Sequence, residues 1–238
     1  MNREDIVIVC GDFGIWHDTK EERYWLDWLQ EKPFTIVFCD GNHENYDRLN
    51  SGEFPEVVFN GACAHKIREN VFHIIRGEIM DYAGHTFAFF GGARSHDIRD
   101  GILDPTDFES WDAFKKEYYR WGALGKQFRV NRMSWWADEM PAYKDYFNFE
   151  EHLREHDNEV DFVITHCAPR CVAAAMGFYD ADELTKYFDE MCENFAFRNW
   201  FFGHYHRNVT IDCFRCIYED IIELDLDEEN EDGQVKSN

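Results

Sequence analysis

The segment VIVCGDFGIWHD, residues 7–18, carries an apolar run (residues 6–10) straight into Gly11 and Asp12. A short, continuous apolar run bounded by glycine reads as a strand buried on both faces. Residues 20–31 follow with Tyr24, Trp25, Trp28 and Leu29 at helical spacing, and FTIVFCD (34–40) is a second apolar strand ended by Gly41. Strand, loop, helix, strand is the order of a parallel α/β unit. The open question is why a strand should deliver a carboxylate into a glycine turn.

Farther along, residues 71–92 predict an antiparallel pair whose two arms meet at Ala83 and Gly84. Residues 98–158 are charged, aromatic and mostly helical in pattern, and read as a cap or insertion. VDFVITH (160–166) predicts a strand, and residues 181–194 a helix with Asp180 as N-cap. FRNWFFGHYH is a strand running into a loop, with a closing β segment to about residue 226. Residues 1–226 form one expected domain. The acidic, polar stretch 227–238 is expected to be disordered.

With 48 acidic against 24 basic residues the net charge is −24, which disfavours binding to a nucleic-acid backbone through clustered Lys and Arg. No apolar run approaches the roughly 20 residues that span a bilayer, and no signal peptide is evident, so a soluble cytoplasmic protein without membrane partners is expected. The eight cysteines show no secreted framework. Cys213 and Cys216 form a lone C-x-x-C whose second pair is missing, so reduced thiols are favoured over a zinc knuckle.

Four loops follow predicted strands: GDFG (11–14), DGNHEN (40–45), THCAP (165–169) and GHYH (203–206). Ligands bind at the carboxyl ends of strands in open α/β sheets. A carboxylate, an amide oxygen and several imidazoles suit a divalent ion of the zinc, manganese or iron kind. Each fragment alone has a plainer reading, as a turn, a local hydrogen bond or a surface hairpin. Their joint occurrence at strand ends is what points to a metal site.

The order GD, GNHE, TH and GHxH resembles the calcineurin-like metallophosphoesterase superfamily over nearly the whole chain. GGARSHD, SWWADEMP and THCAP are similar to a bacterial and phage-associated branch of generic phosphoesterases. The resemblance implies an α/β (α+β) fold, a four-layer β-sandwich flanked by helices, with a two-metal centre at strand ends. It implies that Asp12 bridges the metals, that Asn42, His166 and His204 complete one site, and that His206 belongs to the other. His43 would face the substrate phosphoryl group and assist the leaving group.

Family members begin with a strand ending in Asp-x-His, and that pattern occurs nowhere here. The expectation is therefore an N-terminally truncated family fold with one weakened metal site, possessing one or two ions. A mis-started product, a variant borrowing His17 or Asp18 as a ligand, and an inactive relative stay open as readings. The implied function is hydrolysis of a phosphoester by a metal-activated water. The alternative is an impaired or inactive metal-binding or regulatory domain. The substrate would be a phosphorylated small molecule, a nucleotide or a phosphoprotein. Arg94 and Arg132 are candidate phosphate contacts, because a guanidinium fork suits phosphoryl oxygens. Trp135 and Trp136 could wall an aromatic leaving group or pack the cap.

Overall fold

A computed structural model describes residues 1–224 and 226. The acidic stretch 227–238 lies outside the described residues. The chain runs β1 (Ile6–Val9), α1 (Lys20–Gln30), β2 (Thr35–Phe38), α2 (Tyr46–Leu49), β3 (Glu56–Phe59), β4 (Ala62–Arg68), β5 (Val71–Ile74), β6 (Ile79–Tyr82) and β7 (His85–Phe90). It continues with β8 (Ile102–Leu103), α3 (Trp111–Ala123), β9 (Arg129–Val130), α4 (Tyr143–Glu155), β10 (Glu159–Thr165), α5 (Arg170–Ala175), α6 (Glu183–Met191), β11 (Ala196–Phe202), β12 (Val209–Ile211) and β13 (Phe214–Cys216).

Two sheets carry the fold. One has the strand order β1-β2-β5-β4-β3, the other β12-β13-β11-β10-β7-β6. The apolar runs are continuous because both faces of the central strands are covered. On β7, Phe87 and Phe89 point between the sheets, while Ala88 and Phe90 point to the outer helices. On β10, Phe162 and Ile164 face inward and Val163 outward. Phe87 and Phe162 stack across this pair of strands with ring centroids 4.8 Å apart. Outside the first sheet lie α1 and α2 over Ile36 and Phe38; outside the second lie α4, α5 and α6. Helices, sheet, sheet, helices make the four layers, a mixed α/β sandwich.

Several local expectations change. The arms of residues 71–92 part company: β6 and β7 form the antiparallel hairpin around Ala83 and Gly84, but β5 joins the other sheet, parallel to β2. The α6 N-cap is Asp182, not Asp180, because Thr185 reciprocates as a capping box. On α1, Leu26 is buried while Tyr24, Trp25 and Trp28 are exposed, so the aromatic spacing marks a surface. The stretch 98–158 divides. Leu103, Phe114 and Val130 pack a small cluster of their own. Helix α4 instead places Phe149 and Leu153 in the main core, so it is a layer of the domain and not part of a cap. Beyond Cys216 the closing β segment gives way to irregular chain. The pair β3–β4 and the short helix α5 had no counterpart in the sequence reading.

Candidate metal centre

Strands β1 and β2 run parallel in one sheet, and β10 and β11 parallel in the other. Their carboxyl ends carry Asp12, Asn42 with His43, His166, and His204, so both sheets deliver side chains to one edge of the sandwich. Asp12 and His204 have φ of 53° and 64°, in the left-handed region. Non-glycine residues held there concentrate at functional sites. Glu44 holds the Asp12 loop: its carboxylate accepts the N–H groups of Phe13 (2.6 Å), Gly14 (3.1 Å) and Ile15 (2.9 Å).

His166 Nδ1 lies 2.7 Å from the Cys10 carbonyl, an acceptor, so Nδ1 carries a proton. The other nitrogen, Nε2, lies 3.3 Å from Asp12 Oδ1 and 3.2 Å from Asn42 Oδ1. Nε2 thus stands between two oxygens, of Asp12 and Asn42, that are both acceptors. Without a metal a proton on Nε2 can join the three by hydrogen bonds; once a divalent ion displaces it, the imidazole nitrogen, the carboxylate and the amide oxygen form a donor set for that ion. Burial alone would lower the His166 pKa, but the hydrogen bond and charge of Asp12 raise it. Burial alone would raise that of Asp12, yet His166 and His43 hold it well below the usual carboxylate range.

The His204 ring packs edge-on to that of His166 at 5.0 Å. Burial, with His166 and His96 adding, pushes His204 well down, so it stands as a neutral imidazole. Asp12 Oδ1 accepts the backbone N–H of His43 at 2.9 Å. Burial lowers the His43 pKa; the Asp12 charge opposes this and Arg129 adds to it. Gly41 is required by close approach: a Cβ there would stand 2.1 Å from Asp12 Oδ1 and 2.4 Å from the Asp12 nitrogen. Gly41→Ala should therefore displace the Asp12 carboxylate and weaken Mn²⁺ binding, read by calorimetric titration, even where the folded state survives.

Not every expected residue joins the set. His206 is exposed and stacks on Tyr218 at 4.7 Å. Arg94 is exposed two positions before His96. Arg132 is exposed and pairs with Asp47 at 2.5 Å. His17 lies against Trp16 and Trp136, and Asp18 pairs with Arg23 at 2.7 Å. Trp136 is buried and donates its indole N–H to Asp47. All eight cysteines are free thiols.

Three residues were missed as contributors. His96, in GGARSHD, packs its ring 4.5 Å from His204. Asp40 and Glu44 flank GNH and hold its two ends. The signal for them was charge inside apolar surroundings, since a buried carboxylate needs partners.

Among the described residues no three His, Cys, Asp or Glu side chains form a ready-made cage. The donor set depends on the Asn42 amide, and Asp12, Asn42 and His166, with His204 beside them, fit a divalent ion by donor chemistry. No helix among the described residues is long and apolar enough to cross a membrane.

No curated protein and no solved structure matches the chain. A match does come from the calcineurin-like phosphoesterases, a family of divalent-metal-dependent enzymes, and it covers residues 1–208. With the strand-end donors in place and the match running over most of its length, the chain belongs to the calcineurin-like phosphoesterase family.

Proposed function

We propose that this chain hydrolyses phosphoesters with divalent metal, manganese, iron or zinc, held at the Asp12, Asn42 and His166 donors with His204 beside them. The observation that carries the reading is the His166 imidazole, held at Nδ1 by the Cys10 carbonyl with Nε2 set between the Asp12 and Asn42 oxygens. Bound there, the metal supplies Lewis acidity and an activated water. Asp12 and His206, whose ring stacks on Tyr218, would hold a second ion.

The side chains define the remaining roles. His43, tied to Asp12 through its backbone, faces the leaving group and stabilises the oxygen on which charge develops. Arg94, exposed beside the GGA turn, steers an anionic substrate through charge. The substrate is a phosphorylated small molecule, a nucleotide or a phosphoprotein.

His43→Ala should leave Mn²⁺ affinity intact and lower turnover of p-nitrophenyl phosphate or its bis ester by about 10²–10⁴-fold. If the variant loses metal instead, His43 belongs to the ligand set. Two ions per chain with hydrolysis support the enzyme. One ion bound tightly without hydrolysis of either ester would make the chain a metal-binding domain.

A further inference from the structure

Asn42 can present either end of its amide to the Asp12 and His166 side. One of the two orientations turns the NH₂ end inward, toward His166 Nε2. That orientation would put two protons where a cation is to bind. The structure holds the opposite one. Asn42 Nδ2 points outward and donates to Ser95 Oγ at 3.2 Å. Ser95 Oγ in turn donates to Glu139 Oε2 at 2.6 Å, and the Ser95 backbone N–H donates to Glu139 Oε1 at 2.9 Å.

We propose that Ser95 and Glu139 are positioning residues that fix the Asn42 amide with its oxygen toward the metal. The logic is one of hydrogen-bond polarity. A carboxylate accepts only, so Glu139 takes the single hydroxyl proton of Ser95. Ser95 Oγ is then left with lone pairs for its other neighbour, and it demands a donor from Asn42. Only the NH₂ end meets that demand. All three side chains are buried, Glu139 to within 1% of full burial, so water does not offer a substitute partner.

The anchor of this relay is itself braced. Arg76 Nη2 donates to the carbonyl oxygens of Asp138 (2.9 Å) and Glu139 (3.3 Å). The same guanidinium holds Asp40, two residues before Asn42. The chain of contacts thus closes on itself, from Asp40 through Arg76, Glu139 and Ser95 to Asn42. Gly92 permits the approach: a Cβ there would stand 2.6 Å from the Glu139 carbonyl oxygen, and its φ is +92°.

This inference rests on the metal-site reading above, and the test separates the two. Mn²⁺ affinity of the full chain is measured by isothermal titration calorimetry. Ser95→Ala should weaken it about 10–100-fold, the usual cost of losing a partner that orients a ligand. Ser95→Thr keeps the hydroxyl and should restore it. Glu139→Gln is nearly isosteric but carries a donor, so it reverses the polarity of Ser95 and should weaken binding as Ser95→Ala does. It also serves if Ser95→Ala fails to fold. Asn42→Asp supplies the discriminating background, because a carboxylate presents oxygen in either orientation. There, Ser95→Ala should cost little, and the double-mutant cycle should show strong coupling. Equal losses in both backgrounds, or no loss at all, overturn the relay while leaving the metal site standing. An unmodified chain that binds no Mn²⁺ overturns both.

Discussion

Asp12→Asn should abolish tight Mn²⁺ binding and hydrolysis while leaving the fold intact. The substitution is chosen for its backbone. Asp12 sits at φ 53°, and asparagine tolerates that left-handed conformation as well as aspartate does. The amide oxygen can still accept the His43 N–H. What is lost is the negative charge facing His166 Nε2. A ligand charge contributing several kcal/mol to the bound ion and to the transition state corresponds to about 10²–10³-fold in affinity and in rate. Calorimetric titration and p-nitrophenyl phosphate turnover report the two effects, and circular dichroism reports the fold. Retained affinity and retained turnover in this variant would remove Asp12 from the site.

The second large effect is on stability. Asp40 is fully buried and accepts from Arg76 Nε (2.8 Å) and Nη2 (2.5 Å) and from the Tyr46 hydroxyl (2.7 Å); His73 Nε2 lies 3.1 Å from its other oxygen. Arg76→Met keeps much of the side-chain volume but leaves a buried carboxylate without its counter-charge. Breaking such a pair from one side costs about 3–5 kcal/mol. For a chain of this size that lowers Tm by roughly 6–20 °C. The Arg76→Met/Asp40→Asn pair should recover part of the loss, since no uncompensated charge then remains. A Tm for Arg76→Met equal to that of the unmodified chain would contradict this account.

The same network sets the acid limit of the fold. Burial alone would raise the Asp40 pKa, but the Arg76 charge and the His73 hydrogen bond overcome it and hold the carboxyl far below its ordinary value. A depressed carboxyl stabilises the folded state above its unfolded pKa of about 4, and that contribution disappears as pH falls. His65, whose Nδ1 lies 3.0 Å from that of His73, acts in the same direction from higher pH. Burial, with His73 adding, lowers its pKa to about 4. Below roughly 6.5 the unfolded chain binds a proton that the folded His65 refuses. Tm should therefore decline from pH 7 downward, and more shallowly in Asp40→Asn than in the unmodified chain below pH 4.

The strand-end motifs could be read in the sequence because each is local. An apolar run of four to seven residues followed by Gly-Asp, Gly-Asn-His, Thr-His or Gly-His states both a strand and what its end carries. Burial on both faces made these runs continuous, and that continuity separated them from the amphipathic helices. Helix α6 and its cap were nearly as accessible, misplaced by two residues because Asp180 and Asp182 are equivalent as caps until Thr185 selects one. The division of 98–158 was not accessible. A helical pattern records that one face is apolar, not which surface it meets, and α3 and α4 meet different ones.

The sequence by itself determined the opening strand–helix–strand unit, the later strands β10 and β11 with helix α6, the acidic composition and the residue types at four strand ends, since these follow from backbone periodicity and composition. Only the tertiary structure decided that His166 fixes its proton on Cys10, 156 residues away, that His206 stacks on Tyr218, and that Glu139 reaches back 44 residues to orient Ser95. Those outcomes depend on how two twisted sheets meet at one edge. Hydrogen-bond polarity passes between side chains only once packing has excluded water and brought them within about 3 Å.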